Sequence, residues 1–365
     1  MPTKLKLTAV LFWCVIVTAS TQNKFTDSLK ILIANTDDLA RKATLNGDLA
    51  VHFYDNQIDH DSAYFYNEIA YTLAKNNFAK REEARALFNF GLIYTRLNAY
   101  DKAIDFYEKS FQIYDVIGKP QELSAVQSSI GAMHFRKEEY YIAIEYFNKA
   151  IAYSQSANDI ASIGVDYINL GETEYKIGHY ERSLKHLNVG QAFLEKAGYN
   201  ISASHIYKGN TLFSLKQFDA AQVEADLGYT LAQEEQNIEY ISQAALLQHQ
   251  LSLRNENYKE AMSYYQTHIV TKDSLNAAKE LNNIEKLRLN FNLNRKEKEL
   301  EFMQQQSKYL LAIYVLLGIA VLLLVWLVFR QIMSTRMTKS IHEVQRKLVL
   351  HELEKRVPKS EEPTP

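Results

Sequence analysis

Four cations stand at matching places in the chain. Arg96, Arg136, Lys176 and Arg254 each precede an aromatic residue by four positions, and Ser214 interrupts the series. Cations repeated at a fixed interval suit the recognition of carboxylates, which guanidinium binds through two parallel hydrogen bonds. A second explanation stands beside the first. A basic residue in the last turn of a helix offsets the macrodipole by about 0.3–1 kcal/mol. Both explanations need the cations to end helices. Phe88, Leu92, Ser128, Phe135, Ile168, Tyr175, Ile206 and Phe213 fall where they would share the cations' helix face. Phe and Tyr there supply rigid contact area for recognition, although core packing claims some of these positions.

Other chemistry finds little support. His52, His60, His179, His186 and His205 occur singly, and no HxxxH or HExxH spacing occurs, so no metal is expected. Cys14, the one cysteine, lies in an apolar run, which excludes a disulfide framework and a Cys-based metal site. No Gly-rich phosphate-binding segment is present; neither a cofactor nor catalysis is expected. His351-Glu352-Leu353, with Pro358 beyond, faintly resembles the HEL…P box of sensor kinases, against the simpler reading of a solvated helix face. A formal net charge of −2 gives no electrostatic case for a nucleic-acid partner.

Internal repetition sets the architecture. Rings recur at Tyr100, Tyr140, Tyr180, Phe218 and Tyr258, at intervals of 40, 40, 38 and 40, with His60 in the same place at the front. A small residue follows three positions later each time: Ala63, Ala103, Ala143, Ser183, Ala221 and Ala261. Gly91, Gly131, Gly171 and Gly209 precede the rings by nine positions, and the last unit has His249 there. Leu87, Phe90 and Tyr94, or Ala103, Ile104 and Tyr107, recur at helical spacing. With 12 Gly and 5 Pro in 365 residues, long helices are favoured over many-turned β structure. The pattern resembles the tetratricopeptide repeat, a pair of antiparallel helices with a glycine in the first and a small residue in the second. That resemblance implies about six units stacked as an α-solenoid, first helices lining the concave face, and helices about a turn longer than the family's usual ones. It also implies that the ring opening each second helix fills the gap between units. Residues 25–43 read as one N-terminal capping helix, with Thr26 or Asp27 as N-cap.

Tyr309–Phe329 carries no charge over a run of about 21 residues, long enough to cross a ~30 Å hydrocarbon core. Tyr309, Tyr314 and Trp326 lie towards its ends, where amphipathic rings favour the headgroups. The N-terminus, two lysines and then roughly 13 apolar residues, fits a signal peptide, with an uncleaved anchor as the other reading. Arg330, Arg336, Lys339, Arg346 and Lys347 follow the span against a single Glu343, so the positive-inside rule puts the tail in the cytoplasm. Between repeats and span, Ala277, Leu281, Ile284 and Phe291, then Leu289, Leu293, Leu300 and Met303, keep an imperfect heptad. A homodimeric coiled coil or a single solvated helix both satisfy it.

The order of parts, with Lys272–Leu275 at the junction and Phe291–Leu300 in the stalk, resembles the sensor half of bacterial membrane-bound regulators. In that group the span leads to a histidine kinase or a helix-turn-helix domain. Residues 330–365 are too few for either. The expected organisation is therefore a signal peptide (1–22), a capping region (23–50), repeats (51–271), a stalk (272–308), a span (309–329) and a short cytoplasmic tail (330–365). The expected fold is all-α: a tetratricopeptide-like solenoid, a long helix and one transmembrane helix. The expected function is non-enzymatic: a sensor or adaptor in the inner membrane that binds a protein or peptide in the periplasm and meets an effector through its tail. A static scaffold, and a truncated sensor with a separate effector, are the alternatives.

Overall fold

A computed structural model describes residues 25–55 and 60–356, side chains at 55, 60, 278–301, 304, 351 and 353–356 excepted. The signal-peptide expectation, the side chain of His60, the heptad residues between 281 and 300 and the residues from Pro358 onward lie outside the described residues. Every described element is a helix or a short connection. They are α1 (25–34), α2 (Leu39–Asp55), α3 (His60–Asn76), α4 (Lys80–Arg96), α5 (Tyr100–Ile117), α6 (Pro120–Arg136) and α7 (Tyr140–Ala157). Then follow α8 (Ile160–Ile177), α9 (Tyr180–Lys196), α10 (Ser202–Ser214), α11 (Phe218–Glu234), α12 (Ile238–Arg254) and α13 (Tyr258–Arg356).

The N-terminus departs from the single capping helix expected over 25–43. The chain leaves helix at 35–38, and Asp38 restarts it by accepting from the amides of Ala40 at 2.9 Å and Arg41 at 3.3 Å. Asp38, rather than Thr26 or Asp27, therefore caps the first long helix, because a carboxylate there satisfies amides that have no intrahelical acceptor.

Most repeat helices run 17 or 18 residues and stop for a local reason. A residue with left-handed φ follows nearly every end: Phe78, Asn98, Gly118, Glu138, Asn158, Gly178, Gly198, Lys216, Gln236 and Glu256, spaced by 20 with one interval of 18. The next amide reaches back five residues to a free carbonyl, as in Ala99 N to Tyr94 O at 3.0 Å and Glu139 N to His134 O at 2.9 Å. These are Schellman-type ends. Glycine adopts this conformation freely, whereas a residue with Cβ loses about 1 kcal/mol there. Glu138→Gly, at an exposed position with φ 62°, is therefore expected to raise stability by up to about 1 kcal/mol. An unchanged or lower urea midpoint would contradict this account of the helix end.

Within a unit, the small residues let the two helices approach. Ala63, Ala103, Ala143, Ser183 and Ala221 are fully buried, and Ala261 is nearly so. A Cβ added to Gly91 would stand 2.3 Å from the Tyr107 ring, and one at Gly131 would stand 2.8 Å from the Phe147 ring. Ser183 tolerates burial because its hydroxyl donates to the Gly171 carbonyl at 2.7 Å. The rings at the start of the second helices close their own hairpins, and Phe218 also reaches the next unit, where Arg254 lies over it and Leu247 and Leu251 pack beside it. Phe135 meets Tyr140 at 5.6 Å, Tyr175 meets Tyr180 at 5.5 Å and Phe213 meets Phe218 at 5.4 Å.

Each second helix packs on its own first helix and on the next one, from α2 through α12. Successive first helices touch as well: α2 with α4, α6 with α8, α8 with α10, and α10 with α12. That extra contact puts the first helices on the inner side of the curve. Ser242 and His268 at 3.0 Å, and His249 donating to the Ala261 carbonyl at 2.8 Å, join α12 to the start of α13. The chain divides into two compact units, residues 1–290 and 291–365. In the second unit Gln305–Leu350 is long and apolar enough to cross a membrane, and no part of its apolar window is buried. Leu311 and Leu322, for example, are 65% and 69% exposed among the described residues.

Candidate ligand-binding groove

Among the described residues, two hollows open on the inner face of the first helices. The first, of about 550 Å³, lies among α2, α4 and α6, with Tyr114 at its base. The helix face 81, 85, 88, 92 supplies Arg81, Arg85, Phe88 and Leu92, and Asn89 also lines it. Its arginines are engaged: Arg81 with Glu122 at 3.1 Å and Arg85 with Asp48. Asn89 is buried, and its amide nitrogen has no partner among the described residues. Burial pushes the Tyr114 hydroxyl up to about 12.

The second hollow, of about 390 Å³, lies among α6, α8, α10 and α12. Phe135, Arg136, Ile168, Asn169, Glu172, Tyr207, Glu239 and Tyr240 contribute to its lining. Burial pushes the Glu172 carboxyl up, opposed by a hydrogen bond with Tyr207 and by the charges of Lys176 and Arg136. Tyr207 is itself raised, first by burial and then by Glu172 and Tyr240, to which it is hydrogen-bonded. Nearby, Ser128 on α6 donates to the buried Asp166 on α8. Burial lifts Asp166 to about 7 against the hydrogen bonds from Ser128 and Asn169, and its second oxygen has no partner among the described residues.

The residues singled out from the sequence separate into three groups. Phe88 and Leu92 line the first hollow, and Phe135, Arg136 and Ile168 line the second. Tyr175 and Phe213 are held against the rings of their own hairpins, and Ser128 is committed to Asp166. Ile206 corrects the expectation: it is fully buried, with its Cγ1 only 2.8 Å from where a Cβ on Gly228 would stand. Its side chain is core, because the α10–α11 contact closes over it.

The row of cations divides too. Arg96 lies over the Tyr54 ring at 4.9 Å, and Arg254 over the Phe218 ring at 3.8 Å. Each covers a ring of the preceding unit, a cation–π contact worth ~0.5–1 kcal/mol where exposed. Arg136 and Lys176 are exposed. The groove is therefore mixed in charge rather than uniformly positive, with Glu172 and Glu239 beside Arg136. Stepping one turn from Ile168 along α8 reaches Glu172, and one or two turns back from Phe88 reaches Arg85 and Arg81, so part of the missed lining lay on legible helix faces. Tyr207, Glu239 and Tyr240 come from other units, and no spacing in the chain pairs them with Glu172.

Helix pairs of this length, a glycine of the first helix facing its partner in most pairs and an inner face of first helices define a tetratricopeptide-repeat solenoid. The family model described as "Tetratricopeptide repeat" matches residues 84–115, which span most of α4 and α5. Among curated proteins, the chain is 21% identical over 131 residues to the transcriptional activator NprA of Geobacillus stearothermophilus. That match covers 36% of this chain and 32% of that protein, so the chain spans about a third of the relative's length. Aspartyl phosphate phosphatase F from Bacillus subtilis superposes with a TM-score of 0.55 at 19% identity, covering 68% of this chain and 64% of that one. A Rap protein complexed with Competence and Sporulation Factor gives a TM-score of 0.50 at 15% identity, covering 69% and 81%. At these identities the likeness is one of fold.

Proposed function

We propose that this chain is a membrane-anchored tetratricopeptide protein that binds a protein or peptide in its groove and serves as the sensor or adaptor part of a signalling system. The single observation that carries the reading is the pair of hollows on the first-helix face, the first mainly apolar and the second lined by converging polar and charged groups beside aromatic rings. A Rap protein of similar fold was determined in complex with Competence and Sporulation Factor, and NprA is a transcriptional activator; both fit a regulatory binding role. Anchoring is read from Gln305–Leu350 together with the cations that follow the apolar stretch. In this reading the repeats face the periplasm, the span lies in the inner membrane and the tail meets an effector in the cytoplasm. The stalk is the route by which two copies pair. Signalling is then linkage: a ligand moves the tail only as far as it binds one arrangement of the stalk better than another.

A reporter that works only in the periplasm is expected to be active when fused near residue 270 and silent when fused after 345. Activity at both sites, or only at the second, would overturn the anchoring. Capture of peptides by the full chain in detergent micelles tests the binding half.

A further inference from the structure

We infer that the hollow among α6, α8, α10 and α12 takes a cationic group of the ligand, an ammonium or guanidinium, on the carboxylates of Glu172 and Glu239. The inference rests on the peptide-binding reading above and specifies the chemistry of one subsite.

Other inward glutamates of this fold meet cations of the chain. Glu83 takes Lys80 at 2.8 Å. Glu174 takes His179 at 2.7 Å and lies 4.0 Å from Arg182. Glu224 takes His205 at 2.6 Å and Lys208 at 2.8 Å. Each of these three glutamates is thus matched by a cation from the chain, as desolvation of a charge demands. Glu172 is not. It projects from α8 into the hollow, burial disfavours its charge, and its hydrogen-bond partner is the neutral Tyr207. Lys176 and Arg136 act on it only through their charge, and no ion pair to it forms among the described residues.

The walls supply what a cation would use. Glu239, exposed at the start of α12, contributes a second carboxylate to the same hollow. Tyr207 and Tyr240 contribute rings and hydroxyls, and Phe135 a further ring, so aliphatic stem and charged head both find partners. Arg136 stands at the same hollow with the opposite charge and is exposed. It is placed to meet a carbonyl or carboxylate of the peptide beside the bound cation. Two sources can present the cation: a lysine or arginine side chain, or the free amine of a peptide N-terminus.

The test uses the full chain in detergent micelles and pools of random heptapeptides whose central residue is fixed as Lys, Arg, Gln or Glu. Each pool is made with acetylated and with free N-termini. Pools with Lys or Arg are expected to bind at least tenfold more tightly than the Gln pool. A preference appearing only with free N-termini assigns the subsite to the terminal amine. Glu172→Gln is expected to bring the pools within about threefold of each other, and Glu239→Gln to act in the same direction. Lys149→Gln, on the outer face, should leave the preference intact. Glu172→Gln keeps shape and removes a charge that burial disfavours, so an unchanged or raised melting temperature shows that the variant folds. Peptides bound without preference for a cation, or a preference that survives Glu172→Gln and Glu239→Gln combined, overturn the subsite and leave the binding groove standing. Failure of every pool to bind overturns the groove reading and the subsite with it.

Discussion

Replacing Gly131 with leucine is expected to destabilise the repeats by roughly 1–3 kcal/mol or more. Gly131 is buried on α6 against α7, and even a methyl there would stand 2.8 Å from Cε1 and 2.9 Å from Cδ1 of Phe147. Phe147 cannot step aside, because it is itself 2% exposed and packed in the cluster with Ala143, Ile151 and Leu170. The two helices must therefore part. Because each repeat is stabilised by its neighbours, the units on either side should loosen with it. Lys149→Gln provides the contrast: Lys149 is exposed and lies over the Tyr146 ring at 4.6 Å, so its loss should change stability by about 0.5 kcal/mol or less. Urea unfolding of the two variants, followed by circular dichroism, decides the matter. Equal midpoints would mean that the α6–α7 contact is not the tight one described.

Asp166 provides the second large effect, which appears in the pH dependence of stability. Burial holds its folded-state carboxyl near 7, while in an unfolded chain it ionises near the ordinary ~3.9. Below about pH 4 the carboxyl is protonated in both states, and no stability is lost. Between about pH 4 and 7 the unfolded chain releases a proton that the folded chain keeps, so stability falls as pH rises. Above about 7 both are ionised and the loss is complete, on the order of 2–4 kcal/mol from a shift of about three units. Asp166→Asn can still accept from Ser128 and carries no charge, so it should remove this slope. Its amide leaves a buried donor unpaired at a roughly pH-independent cost of about 1–3 kcal/mol, which makes the slope, and not the absolute midpoint, the quantity to compare. Parallel curves for wild type and variant from pH 4 to 8 would show that Asp166 ionises as freely in the fold as outside it.

The repeats were legible because their cause is local. A solenoid buries each unit on the next, so the same packing demand recurs at the same position, and Ala63, Ala103, Ala143, Ser183, Ala221 and Ala261 record it every 40 residues or so. The apolar stretch from Tyr309 to Phe329 was legible for a similar reason: fitness to cross hydrocarbon is a matter of length and composition in one contiguous segment. The helix ends were only half legible. Gly118, Gly178 and Gly198 announce a left-handed residue, but Phe78, Glu138, Lys216 and Glu256 adopt the same conformation without any compositional sign. There the packing of the two helices on either side overrides local preference.

The groove itself could not be read in the same way, because its residues answer to neighbours in space. Arg96 and Arg254 share a repeat position with Arg136 and Lys176, yet the rings of Tyr54 and Phe218 lie beneath the first two and draw them into packing between units. Ile206 falls on the expected helix face, yet the approach of Gly228 buries it. Glu172, Tyr207, Glu239 and Tyr240 meet in one hollow although 67 residues separate the first from Glu239. Sequence alone determined the helical period, the stacking of units and a stretch long and apolar enough for a membrane, since each is a repeated or contiguous demand on residue type. Tertiary structure alone decided which side chains remain open to a ligand and what charge the hollow carries. That outcome depends on which residues of different units converge, and convergence leaves no periodic mark.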